Sequence, residues 1–380
     1  MRSVSWRNFP LPLIQVNPPT IYRTNTEIRR AYRSGIFTNG GIIHTQASSV
    51  LSNHVNVAYC GYLVSNNTMG LTACLLEVNV RGKHVIVSNF TFVATIQAII
   101  LAGGIPLICD IDLRTLEIDF MEVDRILKSG NYNVGAVVPT RVLGYVNDLS
   151  PLIHLCAELE VPVVVDAAGA FPESKSQWEF DHVAKYEVFS FHATKVFGIG
   201  EGGIIVGRAS DVEKIKQKVN FGISLGEDIS FKEGLNAKAD EFAAARSLAR
   251  FANYKKDVIK RRNFASMYSE IIEHNPRLRT LPSNQKTVFA YFPIIFPTEV
   301  ELIKFQSRIE KYLNTRRYYY PTLKSGFRGD SNLLLGSNLE LSESVSRRIL
   351  CLPVYSKFNP KLPNMIKTKV EQVLEEIKCE

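Results

Sequence analysis

The sequence predicts an α/β fold with a mostly parallel, doubly wound sheet, on three observations. Short apolar runs alternate with helical stretches between about residues 60 and 206, the order that builds parallel sheets from strand, helix, strand units. Within that region Val161-Pro162-Val163-Val164-Val165 is rich in β-branched residues and shows no polar alternation, which reads as a strand covered on both faces. At 380 residues with 46% hydrophobic content, the chain can bury one large core and carry a second domain. We place the large domain over residues 1–245, N-terminal segment included, and a smaller α+β domain over 246–380.

Thr26 to Tyr32 has helical character and leads into Ser34 to Gly41, a glycine-rich turn. Gly61 to Val64 is a strand that breaks into Ser65-Asn66-Asn67, and Thr68 onward reads as the first turn of a helix through Leu76. Backbone N–H groups at a helix start, with a threonine hydroxyl beside them, suit an anion such as phosphate; simple helix capping would use Thr68 just as well. His84 to Asn89 is a strand, and Phe90 to Thr95 opens a helix ending near Ala102. Phe92, at that junction, is placed either to cover a flat ligand or to fill the core. Pro106 to Asp112 and Ala136 to Thr140 are further strands, followed by helices around Phe120 to Lys128 and over Leu149 to Leu159. The buried run then ends in Asp166, at the carboxyl end of a strand, where open α/β sheets place their ligands. A cap on the following turn is the other reading of that residue.

Val188 to Lys195 is an apolar run that ends at Ser190, with Lys195 five positions later and a glycine-dense turn leading into Ile204-Ile205-Val206. Gly198-x-Gly200-x-x-Gly203 matches a dinucleotide fingerprint in form only, because these glycines enter a strand and not a helix. A lysine framed by two strands is held by scaffold on both sides, as a covalent attachment point requires; a solvated loop lysine is the bland alternative. Further on, Phe231 to Lys238 precedes a helical stretch from about Asp240 through Ile272. Val288 to Phe296 reads as a strand, Thr298 to Leu313 as a helix, and Asn364 to Ile377 as a closing helix. Arg316-Arg317-Tyr318-Tyr319-Tyr320 lies among them, and its tyrosine run reads as pocket lining or as stacking within a small sheet.

Composition narrows the function class. The net charge of +8, from 45 basic and 37 acidic residues spread along the chain, suits anionic small substrates and gives no footprint for nucleic acid. The pairs Arg29-Arg30, Arg261-Arg262, Arg316-Arg317 and Arg347-Arg348 read as solvated faces. Six cysteines, at 60, 74, 109, 156, 351 and 379, form no Cys-x-x-Cys pair, and several fall in apolar runs, which reads as reduced, buried thiols of a cytoplasmic protein. The seven histidines lack ligand spacing, so no metal is expected. Met1 to Phe9 does not read as a secretory signal, and no apolar run reaches membrane-spanning length.

Together, Asp166 and Lys195 suggest pyridoxal phosphate chemistry. That cofactor needs a lysine amine for a Schiff base and a carboxylate to pair with its protonated pyridine nitrogen, so that the ring accepts electrons. On these residues, and on Ser190 and His192-Ala193-Thr194-Lys195, the chain resembles the DegT-type (DegT/DnrJ/EryC/StrS) nucleotide-sugar aminotransferases. It is most similar to members whose lysine motif reads His-Ala-Thr-Lys, and Leu350 to Tyr355 matches the family's Leu-Pro-aromatic signature. The likeness runs from about Gly35 to the C-terminal helix.

The resemblance implies an aspartate aminotransferase-like large domain, fold type I of the pyridoxal phosphate enzymes. It implies pyridoxal 5'-phosphate covalent to Lys195, Asp166 on the ring nitrogen and Phe92 over the ring. Thr68, the backbone of Asn67 and Met69, and the Ser190 hydroxyl would hold the phosphate, although Asn67 and Met69 depart from the commonest residues there. Asn236, in Gly234-Leu235-Asn236, would reach the phosphate in a neighbouring subunit's site, giving a homodimer with shared active sites. The implied reaction moves an amino group from an amino acid, glutamate by resemblance, to a keto group at C4 of a nucleotide-linked deoxy sugar for surface polysaccharide such as O-antigen. Lys195 would be its general base. One departure is Gly169, where the family usually has a glutamine approaching the ring hydroxyl; it alone favours a catalytically silent cofactor-binding regulator. Family dehydratases that use the amine form of the cofactor carry histidine in place of the lysine, and Lys195 argues against that reading.

Overall fold

The computed structural model describes residues 9–171, 183–224, 230–231, 233–327 and 333–378. The segment Met1 to Asn8, Lys232 and Cys379, all read above, lie outside them. Helices α1 (Ile21–Ser34) and α2 (Ile42–Val55) lead into β1 (Cys60–Val64), α3 (Asn67–Glu77), β2 (His84–Ser88), α4 (Val93–Leu101) and β3 (Ile105–Cys109). Then come α5 (Phe120–Lys128), β4 (Val134–Val138), α6 (Ser150–Glu158), β5 (Val163–Asp166), β6 (Ala184–Ser190), β7 (Gly203–Gly207) and α7 (Ala209–Lys218). A short pair, β8 (Ile223–Ser224) and β9 (Ser230–Phe231), precedes α8 (Glu241–Glu273), whose cap is Asp240 accepting from the Ala243 amide. The chain closes with β10 (Phe292–Ile295), α9 (Glu299–Ile309), α10 (Leu323–Gly326), β11 (Leu334–Leu335), α11 (Glu340–Arg348), β12 (Ile349–Leu352) and α12 (Leu362–Lys378).

Eight strands form one sheet in the order β1-β7-β6-β5-β4-β2-β3-β11. All its pairings are parallel except those of β7, which is antiparallel to both β1 and β6. The exception follows from the connection: residues 191–202 between β6 and β7 contain no helix, and a parallel return needs a crossover of that kind. The lysine loop is therefore a wide turn at one end of two adjacent antiparallel strands.

Alternate strand residues feed two cores. Val163, Val165, Ile204 and Val206 share a cluster with α2, α5, α6 and the first half of α8, while Val164, Val188 and Ile205 share another with α3, α4 and α7. A sheet with helices on both faces is the doubly wound arrangement, and it explains why β5 carries valine at three successive positions. A third cluster gathers the second half of α8 with α9, α12 and the antiparallel pair β10 and β12. Helix α8 thus contributes to two cores.

The strand expected over Val288 to Phe296 is shorter than its apolar pattern. Arg261 of α8 takes the carbonyls of Phe289 and Ala290, and the Val288 amide donates to Gly144. These bonds pull residues 288–290 out of the β10 ladder and towards the end of β4. Among the described residues no helix is long and apolar enough to cross a membrane.

Gly203 begins β7 opposite Ser190 of β6 and Val64 of β1. A Cβ there would lie 2.8 Å from the Phe189 carbonyl oxygen and 3.1 Å from the amide nitrogen of Asn67, so glycine lets β7 approach the start of α3. Gly203→Val is expected to destabilise the protein by about 1–3 kcal/mol through overpacking, read as a lower midpoint in a circular dichroism melt. An unchanged melt would contradict that close approach.

Candidate active site

A cavity of about 600 Å³ opens at the carboxyl ends of β4, β5 and β6 and the starts of α3 and α4. Asn67, Thr68, Met69, Phe92, Asp166, Ser190 and Lys195 all line it. Parallel strands end their carbonyls, and helices begin their free N–H groups, at this edge of the sheet.

Asp166 is only 3% exposed. Its Oδ2 accepts from the Thr95 hydroxyl at 2.6 Å, and its Oδ1 accepts from the Ala168 amide at 3.1 Å. Behind Thr95 stands a file of hydroxyls: Thr140 donates to Thr91 at 3.0 Å, and Thr91 and Thr95 are 2.9 Å apart. With Thr140 donating to Thr91, the Thr91 hydroxyl is free to point at Thr95, whose own proton is directed at the carboxylate. Burial raises the Asp166 carboxyl above its ordinary value, and the Thr95 hydroxyl, the Ala168 amide, Lys195 and Asn67 pull it back. Lys195 lines the same cavity, and burial lowers its ammonium below the ordinary lysine value while Asp166 partly restores it. The two groups are thus close enough to feel each other's charge, although 29 positions separate them in sequence.

Thr68 is not the helix cap. Asn66 is, its Oδ1 accepting from the Met69 amide at 2.9 Å. Among the described residues nothing engages the Thr68 hydroxyl or the amides of Asn67 and Thr68, and unpaired first-turn N–H groups with a hydroxyl make a cradle for a dianion. The Asn67 side chain turns inward, donating to the Val188 carbonyl at 3.0 Å and acting on Asp166. Ser190 accepts from the His192 amide at 3.3 Å. Phe92 is 49% exposed and stands on the cavity wall, not in the core.

Gly169 also lines the cavity, and a Cβ there would stand 3.3 Å from the Gly144 amide nitrogen. Leu143 and Gly144 turn with φ of 55° and 82°, a left-handed conformation that glycine adopts readily. A side chain at 169 would press on this turn. His192 reaches the cavity wall as well: its Nδ1 accepts from the Thr194 amide at 3.2 Å, and its Nε2 lies 3.5 Å from Glu201. Asn236 is not among the lining residues; it is exposed and bridges to Asn220 in its own chain.

These features fit pyridoxal phosphate: a buried amine and a buried carboxylate on one cavity, an aromatic face, and an anion cradle at a helix start. Sequence reasoning passed over Thr95, in the first turn of α4 and buried behind Asp166, and the wall residue Arg141, just past the carboxyl end of β4, where the strand-end rule points. Arg141 is buried between two acids, 3.6 Å from Glu117 and 3.8 Å from Glu187, and its backbone amide donates to the Asp166 carbonyl at 2.8 Å. Burial pushes Glu117 up to about 7 from 4.5, against the pull of Arg141.

A carboxyl raised on folding adds stability below its unfolded pKa, and that contribution is lost as pH rises through the folded value. Thermal melts between about pH 5 and pH 8 are therefore expected to fall more steeply with pH for the wild type than for Glu117→Gln. Parallel curves would show that Glu117 stays ionised beside Arg141.

Comparison with known proteins bears on this site. A profile of the DegT/DnrJ/EryC1/StrS aminotransferase family matches residues 21–376. The dTDP-4-amino-4,6-dideoxy-D-glucose transaminase of Shigella dysenteriae is 26% identical over 96% of this chain and 99% of its own. The UDP-4-amino-4,6-dideoxy-N-acetyl-beta-L-altrosamine transaminase of Campylobacter jejuni is 23% identical over 92% of this chain and 94% of its own. Among solved structures, DesI in the presence of its TDP-sugar product superposes with a TM-score of 0.83 at 22% identity, covering 100% of this chain and 96% of that one. The DegT DnrJ EryC1 StrS aminotransferase of Brucella abortus gives 0.80 at 19% identity, over 92% and 95%. The family match spans nearly the whole chain and takes in Asn67, Thr68, Met69, Phe92, Asp166, Ser190 and Lys195; the chain belongs to the DegT/DnrJ/EryC1/StrS aminotransferase family.

Proposed function

We propose that the protein is a pyridoxal phosphate-dependent aminotransferase that moves the amino group of an amino acid, glutamate, to the C4 keto group of a nucleotide-linked 6-deoxy sugar. The observation that carries this reading is the meeting of Lys195 and Asp166 on one cavity beside a cradle for a dianion. The named relatives from Shigella and Campylobacter are both transaminases of 4-amino-4,6-dideoxy sugars on nucleotides, which supports the choice of carbon. The His192 to Lys195 sequence places the chain, on this reading, in the His-Ala-Thr-Lys subgroup.

When bound, the cofactor supplies an aldehyde that forms imines with amines and a ring that accepts electrons. The residues do the rest. Lys195 would hold the cofactor covalently, and its amine would serve as the general base for the proton of the donor's α-carbon. Burial favours that uncharged amine. Asp166, its carboxylate fixed by the Thr95 hydroxyl, would pair with the protonated ring nitrogen. Thr68, Ser190 and the free amides of Asn67 and Thr68 would hold the phosphate, the Met69 amide being taken by Asn66, and Phe92 would cover the ring. The balance is simple: donor amino acid becomes keto acid, and keto sugar becomes amino sugar.

The functional unit on this reading is a homodimer. Asn236 is exposed away from its own chain's cavity, and the N-terminal region exposes Ile21, Tyr22, Ile42 and Val57, apolar surface that a second copy would cover.

Protein loaded with pyridoxal phosphate is expected to lose its long-wavelength absorbance on adding glutamate and to regain it on adding a 4-keto-6-deoxy sugar nucleotide; a spectrum indifferent to glutamate would refute the reading. Lys195→Ala is expected to retain no cofactor after borohydride reduction, by mass spectrometry, and to lose about 10²- to 10⁴-fold in rate. Mixing inactive Lys195→Ala chains with Asn236→Ala chains should restore activity, because in a shared-site dimer one of the two sites then carries neither change. No recovery would place Asn236 outside the partner's site.

A further inference from the structure

The structure separates the pair Arg316-Arg317. Arg317 is spoken for: its Nη2 donates to Glu299 and to the Arg347 carbonyl, each at 2.7 Å, and its guanidinium carbon lies 3.9 Å from the Tyr320 ring centroid. Arg316 is not. Among the described residues no carboxylate or carbonyl accepts from its guanidinium, which lies on the wall of the active-site cavity. Its guanidinium carbon stands 4.5 Å from the ring centroid of Tyr318, and Tyr318 packs in turn on Tyr291 and Tyr319 at 5.1 and 5.5 Å. All three tyrosines line the cavity. The backbone beneath is fixed, because Arg316 and Cys351 exchange both their amide hydrogen bonds.

The charges around the cavity identify what this residue is for. Lys195 is committed to the cofactor on the reading above, and Arg141 is flanked by Glu117 and Glu187. Stacking on an aromatic face steadies a guanidinium while leaving its edge N–H donors unused. A planar fork of free donors at a cavity wall matches two oxygens of one anion.

We infer that Arg316 receives an anionic oxygen pair of the incoming substrate, the carboxylate of the amino-acid donor or the diphosphate of the sugar nucleotide. The inference rests on the proposed aminotransferase reading, since both anions belong to its two substrates. Arg316 is then a specificity residue, and its neighbour Arg317 is not.

The test is calorimetric titration of the cofactor-loaded full chain with two unreactive probes, glutarate and thymidine diphosphate. Arg316→Gln is expected to weaken binding of one of them on the order of 10- to 100-fold, while Arg317→Gln leaves both unchanged and Arg316→Lys recovers part of the loss. Loss of glutarate alone assigns the site to the donor carboxylate; loss of thymidine diphosphate alone assigns it to the nucleotide. Equal binding by Arg316→Gln and wild type overturns the inference, as does a wild type that binds neither probe. The spectral test with glutamate stands apart: a protein that passes it but is indifferent to Arg316→Gln refutes this inference and spares the proposed function.

Discussion

Asp166 is a carboxylate with almost no solvent, at the end of a strand covered on both faces, and most of the site can be traced to how that group is held. Burial disfavours its charged form. The structure answers with a hydroxyl from Thr95, an amide from Ala168, the Asn67 side chain and the nearby Lys195. Each lies on a different segment, so the carboxylate ties the start of α3, the first turn of α4, the end of β5 and the lysine loop to one point. The backbone reinforces this, since the Asp166 amide donates to Pro139 and its carbonyl accepts from Arg141. A sheet edge pinned in this way supports chemistry that needs an amine and an acid at fixed separation.

The antiparallel strand β7 completes the arrangement. Because β6 and β7 are neighbours, the loop carrying Lys195 is anchored at both ends to adjacent strands inside the sheet, and Gly203 lets β7 close on the start of α3. The amine, the acid and the phosphate cradle are therefore set by three adjoining strand ends and not by a mobile loop. The C-terminal part adds the opposite wall through Tyr291, Tyr318 and Tyr319, drawn towards the sheet by Arg261 and by the bond from Val288 to Gly144.

Much of this was legible in the sequence because it depends on local pattern. The valine run announced a doubly covered strand, and a carboxylate at its end and a lysine between two strands are positional signals that survive without coordinates. The reversal of β7 was not read, since direction follows from the missing crossover helix and not from the strand's own residues. Thr68 was weighed as a cap because it opens the helical pattern, yet Asn66 does the capping and leaves the threonine hydroxyl to the cavity. Arg141 escaped notice and Arg316 read as part of a solvated face for a common reason: the fate of an arginine depends on which carboxylates fold against it, and those lie far away in the chain. Gly169 made sense only once the left-handed turn at Leu143 and Gly144 was seen packed against it.

The central claim is that one cofactor joins Lys195 to Asp166 across this cavity, and a crystal structure of the protein grown with pyridoxal phosphate tests it most directly. The account requires electron density continuous from Lys195 Nζ to the cofactor, with the ring nitrogen against the Asp166 carboxylate and the phosphate on the first turn of α3. A cofactor bound with its ring nitrogen turned from Asp166, or with its phosphate away from α3, would contradict it.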